Sequence, residues 1–419
     1  MKNTILFFVG LSMLLSITLL YAGSANRIFL SYGEITEMMA SLFFAKGITT
    51  EELQNRYNSD SGESKSLKKV KILVVPGHFP NKGGGEFGSV KERNMAVSLG
   101  KNLVSFLEEN ERFEVLLARD DTRFIKEIGE YVINNKKEIE KWISEHKNEM
   151  NSLIENGKVI DIDGPPHNTI NQEDANDLYG VNKWANENDV ALVINIHFND
   201  YPRKSSTTIG KYYGFTVYVP ENQYGNAESS GEVADYIANR LGLFLPTSNM
   251  PKEKGGVVED QDLIALGRFN TSKTASILIE YGYIYEPMFR TKETREVVLR
   301  EMAYQTYLSI EEFFGVIHEE VSFITNKEDM KIFSGADTPT PEALRLQLAL
   351  IGNGLYPPNG KTLQDCPLTG IIGNCTKEAL RDFQKIGEIP QTGKLNKETV
   401  SIFNKLKVQN EEGEQALAN

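Results

Sequence analysis

Apolar and polar residues alternate along residues 70–314 with two different periods. Short apolar runs typical of buried strands occur at "VKILVV", "FEVLLA", "VALVINI", "GFTVYV" and "ASILIE". Between them, residues 92–109, 229–243 and 291–314 carry apolar residues three or four positions apart, which is the period of a helix with one buried face. This alternation predicts an α/β fold with a mixed sheet flanked by helices.

The two ends of the chain differ from this central region. Residues 5–23 form an almost unbroken apolar run behind Lys2, about as long as the ~20 residues that a membrane-spanning helix needs. We therefore predict export directed by residues 1–24, and the pattern leaves open whether they are a cleaved signal peptide or a membrane anchor. Either alternative places the rest of the chain outside the cytoplasm: in the periplasm, the cell wall or the medium after cleavage, or on the outer face of the cytoplasmic membrane if the anchor is retained.

Changes in composition divide the rest of the chain. The predicted units are a stalk or linker at residues 25–69, the α/β domain at 70–316, a linker at 317–340, a small all-α domain at 341–407 and a tail at 408–419. In the all-α region the segment "TGIIGNCTKEAL" is echoed by "TGKLNKETVSIF", which indicates a weak internal repeat.

Charge and cysteine content narrow the function classes. The net charge of −13, with no long face rich in Lys and Arg, disfavours a nucleic-acid partner. Cys366 and Cys375 in "DCPLTGIIGNC" are the only cysteines. They either close a short disulfide loop worth roughly 2 to 3 kcal/mol in an oxidising compartment or stay free thiols, and two thiols alone do not make a zinc site.

Ionisable residues follow three of the predicted buried strands. His78 comes after the first strand, His197 after "VALVINI", and Glu280 at the end of "ASILIE". Ligands of open α/β sheets bind at the carboxyl ends of strands, so these residues are expected to share a crevice with Glu92 at a helix start. Two imidazoles and one carboxylate leave a fourth coordination position open, as in catalytic zinc sites, and a free glutamate beside them suits proton transfer.

Four motifs in this region resemble the zinc-dependent N-acetylmuramoyl-L-alanine amidases. They are Pro76-Gly77-His78 with Gly83-Gly84-Gly85, then Glu92-Arg93-Asn94, then Arg119-Asp120 after a strand, and finally His197-Phe198-Asn199 with Glu280-Tyr281-Gly282-Tyr283-Ile284. The resemblance implies Zn²⁺ held by His78, Glu92 and His197, with Glu280 as general base. It departs from the family at Val75, where an acidic residue is common, so an orienting contact for His78 has to come from elsewhere.

The C-terminal region resembles the small peptidoglycan-binding domain of wall hydrolases. The similarity is carried by Leu344-Arg345, Gln347, Thr369-Gly370, "ALRDFQ" and Thr392-Gly393. Together the two resemblances imply hydrolysis of the amide bond between N-acetylmuramic acid and L-alanine in peptidoglycan. Two alternatives stay open: a non-enzymatic relic that binds peptidoglycan, and a zinc peptidase of related fold that would need an arginine for a terminal carboxylate, with Arg119 and Arg268 as candidates.

A charged segment interrupts the α/β pattern at residues 124–171. Residues 124–158 are dense in Glu and Lys and predict one or two inserted helices, whose sparse apolar stripe is Ile128, Val132, Ile139, Ile143 and Leu153. Such a stripe needs a surface to pack on. One hypothesis places it on the rim of the zinc cleft, from which an activator or the wall displaces it; the other is an inert surface extension.

Overall fold

The computed structural model describes residues 47–58, 69–167, 170–242, 245–318, 339–363 and 365–402. The apolar run at residues 5–23, most of the predicted stalk, nearly all of the linker at 317–340 and the tail lie outside these ranges. Among the described residues, no helix is both long enough and apolar enough to cross a bilayer.

The elements follow one another in the order that the α/β pattern predicts. The strands are β1 (Val70–Pro76), β2 (Glu86–Phe87), β3 (Val90–Lys91), β4 (Phe113–Leu117), β5 (Leu192–Asn199), β6 (Thr216–Pro220), β7 (Val257–Asp260) and β8 (Ala275–Tyr283). The helices are α1 (Thr50–Asn58), α2 (Glu92–Leu107), α3 (Lys126–Asn134), α4 (Lys136–Glu155), α5 (Gln172–Glu187), α6 (Ala227–Gly242), α7 (Pro287–Arg290), α8 (Lys292–Phe313), α9 (Pro341–Gly352) and α10 (Asn374–Ile386). Short 3₁₀ turns lie at Ile264–Leu266 and Arg268–Asn270.

The six-stranded sheet has the order β4-β1-β5-β8-β6-β7 and confirms the mixed sheet flanked by helices. Strands β4, β1, β5 and β8 are parallel, whereas β6 runs antiparallel to β8 and pairs in parallel with β7. Because β1, β5 and β8 are parallel neighbours, their carboxyl ends meet at one edge of the sheet. The predicted crevice therefore has a structural basis in strand direction.

Both faces of the sheet are covered. Along β1, Ile72 and Val74 pack into the cluster shared with α2, α6 and α8, while Leu73 and Val75 pack with Trp184 of α5 on the other face. Side chains of a strand alternate between faces, so a run apolar at every position is what a strand buried on both sides requires. This explains why "VKILVV" has no polar residue after Lys71.

The prediction that all of residues 25–69 form a stalk or linker is wrong for residues 47–58. Leu53 of α1 is fully buried, and the backbone of Ile48 donates to Lys273 O at 2.8 Å and accepts from Ser229 Oγ at 2.7 Å. These contacts anchor α1 at the amino-terminal edge of the sheet, opposite the predicted crevice. One buried leucine in a nine-residue helix leaves too weak a periodic signal to separate it from a linker.

The inserted segment forms two helices, α3 and α4, but the expectation that its apolar stripe packs on the cleft is wrong. Ile128 is fully buried against Val75 and Trp184, within the core of the domain. Ile139 and Ile143 pack with Tyr179 of α5 and Ile264, and other α4 residues contact the turn Arg268–Asn270. The stripe thus finds apolar partners on the helical layer, so the structure gives no support to an activator that displaces these helices from the metal site.

The C-terminal region is built from two similar units, which confirms the internal repeat. In the first, Gln347 Nε2 donates to Thr376 Oγ1 at 2.9 Å and its Oε1 accepts from Gly370 N at 3.0 Å. In the second, Gln384 makes the same pair of bonds to Thr399 Oγ1 and Gly393 N, both at 2.9 Å. Each buried glutamine therefore holds one Thr-Gly turn against one helix.

A disulfide and a domain contact secure this region. Cys366 and Cys375 are bonded, with Cα atoms 5.8 Å apart, so of the two alternatives the structure has the disulfide. Helix α9 packs on α8 of the α/β domain, where Arg345 pairs with the buried Glu301 at 3.3 Å and lies over the ring of Tyr304.

Candidate metal centre

The crevice begins at a sharp turn after β1. His78 has φ +64°, a left-handed conformation that is uncommon for any residue but glycine. Gly77, directly before it, has no room for a side chain, because a Cβ there would lie 2.4 Å from His197 Cε1. The Pro-Gly-His sequence is thus explained by the close approach of the turn to the second histidine.

The glycine-rich loop packs directly on the His78 ring. A Cβ at Gly84 would lie 3.0 Å from His78 Cδ2, and Gly84 itself has a φ of +86°. The loop is held by Arg93, whose Nη1 donates to Gly83 O at 3.0 Å and pairs with Glu86 at 2.9 Å. With the apolar Val75 before the turn, this loop supplies contacts that orient the imidazole.

Glu92, His78 and His197 converge at the strand ends. Glu92 is the first residue of α2 and is 4% exposed; its Oε1 lies 2.7 Å from His78 Nε2 and 3.1 Å from His197 Nδ1. Its Oε2 accepts from Gly85 N at 2.8 Å. One potential ligand atom from each of the three residues lies within 4.8 Å of the others. The structure therefore brings together the three residues predicted as metal ligands.

Burial and neighbouring charges favour the protonation states in which Glu92 and His197 can bind a metal ion. Burial alone would raise the pKa of Glu92, but the positive charge of His78 and the hydrogen bond with His197 hold it well below its usual range. Burial lowers the pKa of His197, which favours the neutral ring, although the Glu92 contact opposes this shift. An ionised carboxylate beside a neutral imidazole is the protonation state that metal binding requires.

Glu280 is the register partner of His197 on the neighbouring strand β8. Burial raises the pKa of Glu280 well above its usual range, and the negative charges of Glu92 and Glu253 add to the effect. Within the described residues, two buried atoms of this cluster lack a hydrogen-bond partner, Glu280 Oε2 and His78 Nε2. His78 Nε2 lies 2.7 Å from Glu92 Oε1 without the alignment of a hydrogen bond. This arrangement suits two metal-ligand atoms that face one shared cation.

Glu253 and Tyr218, which the sequence did not single out, lie close enough to Glu280 to interact with it electrostatically. Glu253 is buried and accepts hydrogen bonds from Asn199 Nδ2 at 2.9 Å, Tyr218 Oη at 2.7 Å and Tyr283 Oη at 3.0 Å. His167 lies against the Tyr218 ring, and its Nε2 is 2.7 Å from Asp260 Oδ2. The polar run "MPKEKGG" carries no pattern that predicts the burial of Glu253, and the loop "GPPHN" carries none that predicts the contacts of the exposed His167.

The other histidines lie elsewhere. His146 is half-buried on α4 against Trp142, and His318 pairs with Glu311 at 2.8 Å after α8. Asn186 is structural: its Nδ2 donates to Thr271 O and its Oδ1 accepts from Lys273 N, both at 2.8 Å.

Comparison with solved structures gives several amidases at low sequence identity. The CwlD amidase of Clostridioides difficile, solved in complex with the GerS lipoprotein, is 16% identical, with 59% of this chain and 100% of that chain covered and a TM-score of 0.40. The amidase Ami1 of Mycobacterium smegmatis is 14% identical over 59% of this chain and 97% of its own, with a TM-score of 0.39. The CwlV catalytic domain of Bacillus (Paenibacillus) polymyxa is 15% identical over 59% and 99%, with a TM-score of 0.36.

Two family models match the chain, and no curated protein sequence does. Residues 167–312 match the N-acetylmuramoyl-L-alanine amidase family, and residues 340–402 match the putative peptidoglycan binding domain. The first match includes His197 and Glu280 and begins after His78 and Glu92, which the fold places beside them. The chain therefore contains a domain of the N-acetylmuramoyl-L-alanine amidase family, followed by a domain of the peptidoglycan-binding family.

Proposed function

We propose that this protein is a zinc-dependent hydrolase that cleaves the amide bond between the lactyl group of N-acetylmuramic acid and L-alanine. The observation that carries the proposal is the convergence of His78, Glu92 and His197 within 4.8 Å, in a chain with an amidase-family domain. Glu280, whose Oε2 has no hydrogen-bond partner in the described part of the chain, stands beside them on the next strand.

The donor set suits zinc. His78, Glu92 and His197 would hold the ion through two nitrogens and one oxygen, which leaves a fourth position for substrate as in catalytic rather than structural sites. Zinc held there supplies Lewis acidity that polarises an amide carbonyl and lowers the pKa of water from 15.7 toward about 7. The second carboxylate oxygen of Glu92 accepts a hydrogen bond from Gly85 N. Glu92 would therefore bind the metal ion through one oxygen and hold the glycine-rich loop through the other.

Glu280 is the group placed to move the proton. The positive charge of a metal ion bound beside it would favour the ionised form of Glu280 against the effect of burial, and as a carboxylate it would accept a proton from the attacking water while the water oxygen bonds to the amide carbon. It then donates this proton to the alanine nitrogen as the carbon–nitrogen bond breaks. The products are a free lactyl carboxylic acid on the sugar and a free amine on the peptide, so Glu280 ends the cycle ionised again.

The positions of two arginines weigh against a zinc peptidase. Recognition of a terminal carboxylate would need an accessible guanidinium near the metal. Arg119 is 1% exposed and its donors are taken up by backbone carbonyls, whereas Arg268 is accessible but already paired with Asp262, at 3.1 Å. A non-enzymatic relic would have no chemical reason to keep two unpartnered buried polar atoms in one cleft.

Product analysis tests the proposed function. Purified chain incubated with soluble muropeptides should release intact stem peptides with a free L-alanine amine, together with peptide-free disaccharide, as identified by mass. A chelator should stop this release. Cleavage between two amino acids would instead identify a peptidase. Unchanged muropeptides would favour the non-enzymatic protein that only binds peptidoglycan.

We further propose that the protein works outside the cytoplasm on the intact wall. The apolar run at residues 5–23 and the Cys366–Cys375 disulfide support export, with the N-terminal segment as membrane attachment if it is retained. The peptidoglycan-binding domain would then hold the catalytic domain near its substrate, which raises the effective substrate concentration.

Removal of the C-terminal domain should separate wall binding from hydrolysis. A chain that ends at residue 338 should sediment with purified sacculi less than the full chain does, because it lacks the unit that matches the peptidoglycan-binding family. It should hydrolyse soluble muropeptides at a similar rate, since His78, Glu92, His197 and Glu280 all remain. Equal sedimentation of both chains would show that residues 339–419 do not anchor the protein to the wall.

A further inference from the structure

Arg119 occupies an unusual position behind the metal centre. It follows β4 and is among the largest side chains that are fully buried, at 1% exposure. Its Nε donates to Pro76 O at 3.0 Å, its Nη1 to Asp120 O at 2.9 Å, and its Nη2 both to Arg93 O at 3.1 Å and to Gly77 O. All these acceptors are backbone carbonyls, so the guanidinium joins chain segments and no carboxylate.

The joined segments are the ones that carry two of the three donors. Pro76 and Gly77 precede His78, and Arg93 follows Glu92 in the first turn of α2. A planar guanidinium fixes the directions of its hydrogen bonds, so one side chain sets the distance between the His78 turn and the start of α2. A lysine at this position could not do the same, because its single nitrogen cannot reach the carbonyls of the His78 turn and of the start of α2 at the same time.

The His78 turn needs such a constraint. A non-glycine residue at positive φ is strained and persists only where the surroundings hold it. Two of the carbonyls bonded by Arg119, those of Pro76 and Gly77, belong to this turn, and Gly77 N donates to Ile196 O at 2.8 Å on β5. The conformation that aims His78 at Glu92 is therefore secured from both sides.

We infer that Arg119 is a positioning residue of the metal centre: it preorganises His78 and Glu92 for the cation without touching it. The inference rests on the proposed function, because it assumes that His78, Glu92 and His197 hold a metal ion. Loss of groups that orient metal ligands typically lowers metal affinity about 10- to 100-fold. The same loss should matter less for the fold, since the core packing of β1 and α2 does not depend on the carbonyls that Arg119 binds.

The Arg119→Lys variant tests this role because it keeps the positive charge and removes the planar guanidinium. Its zinc dissociation constant, measured by competition with a chromogenic chelator, should rise about 10- to 100-fold while the chain stays folded by circular dichroism. The visible absorption of bound Co²⁺ should also change, since it reports ligand geometry. Arg119→Gln, which keeps a planar amide donor and loses the charge, should weaken zinc binding as well.

Arg240→Lys is the matched control. Arg240 is also largely buried, but it joins α6 to α8, with hydrogen bonds to Glu312 and Gln305 of α8. This variant should bind zinc as wild type does, whatever it does to the melting temperature. Wild-type zinc affinity in folded Arg119→Lys, or failure of both Arg119 variants to fold, would overturn the inference. A wild-type chain that binds no zinc would instead refute the proposed function on which it rests.

Discussion

Replacement of His78 by alanine should remove zinc from the protein and abolish hydrolysis. Wild type should contain about one zinc per chain, because the described residues offer one cluster of three suitable donors. Two donors make too weak a site: loss of an outer-shell partner alone costs about 10- to 100-fold in affinity, and loss of a ligand costs more. His197→Ala should behave in the same way. Elemental analysis after gel filtration gives the zinc content.

The control for this prediction is a histidine outside the crevice. His146→Ala removes an imidazole that packs on Trp142 of α4 and should leave zinc content and hydrolysis unchanged. Equal zinc in wild type, His78→Ala and His197→Ala would mean that the metal, if present, sits elsewhere. A melting temperature that rises with added zinc only in wild type and His146→Ala would confirm binding to the folded state.

Replacement of Glu280 by glutamine should separate metal binding from chemistry. Glutamine keeps the shape of the side chain and cannot carry the proton, so kcat should fall about 10²- to 10⁴-fold. Zinc content should stay near that of wild type, because Glu280 is outside the His78, Glu92 and His197 cluster. The measurement pairs elemental analysis with the initial rate of muropeptide cleavage.

Glu286→Gln is a control matched in burial and position. Glu286 is a buried glutamate just beyond β8, and its Oε1 accepts from Tyr283 N at 2.8 Å and Gly214 N at 3.0 Å, bonds that a glutamine carbonyl can also accept. This variant should remain active. Comparable rates for Glu280→Gln and wild type would assign the proton transfer to another group.

The strands and the ligand-bearing edge could be predicted because their signals are local. A strand buried on both faces must be apolar throughout, and a polar residue at its end is then conspicuous, as at His78, His197 and Glu280. The positive φ of His78 was not predictable, since left-handed backbone at a non-glycine residue is imposed by contacts distant in sequence. In the sequence, Arg119 stood out only as a motif residue and as a candidate for binding the terminal carboxylate of a peptide. Its hydrogen bonds to four backbone carbonyls depend on the fold and could not be predicted.

The apolar pattern of the sequence did not show elements that bury polar residues or that are very short. Helix α5 buries Asp174, Asn182 and Lys183 among its apolar residues, so its buried face does not read as apolar. Strand β7 has four residues and one buried position at its end, which is too short for any alternation to register. The apolar stripe of α4 was recognised, but its partners on α5 and at Ile264 are set by tertiary packing, so the surface it covers could not be read from the sequence.

Zinc reconstitution shows whether hydrolysis depends on the metal ion. The full chain is stripped of metal with a chelator, dialysed and titrated with zinc while muropeptide cleavage is followed by the mass of the released peptides. The metal-centre account predicts no cleavage in the metal-free chain, a rise with added zinc, and a plateau near one zinc per chain, with no rise at all in His78→Ala. Cleavage by the metal-free chain at the rate of the reconstituted one would contradict it.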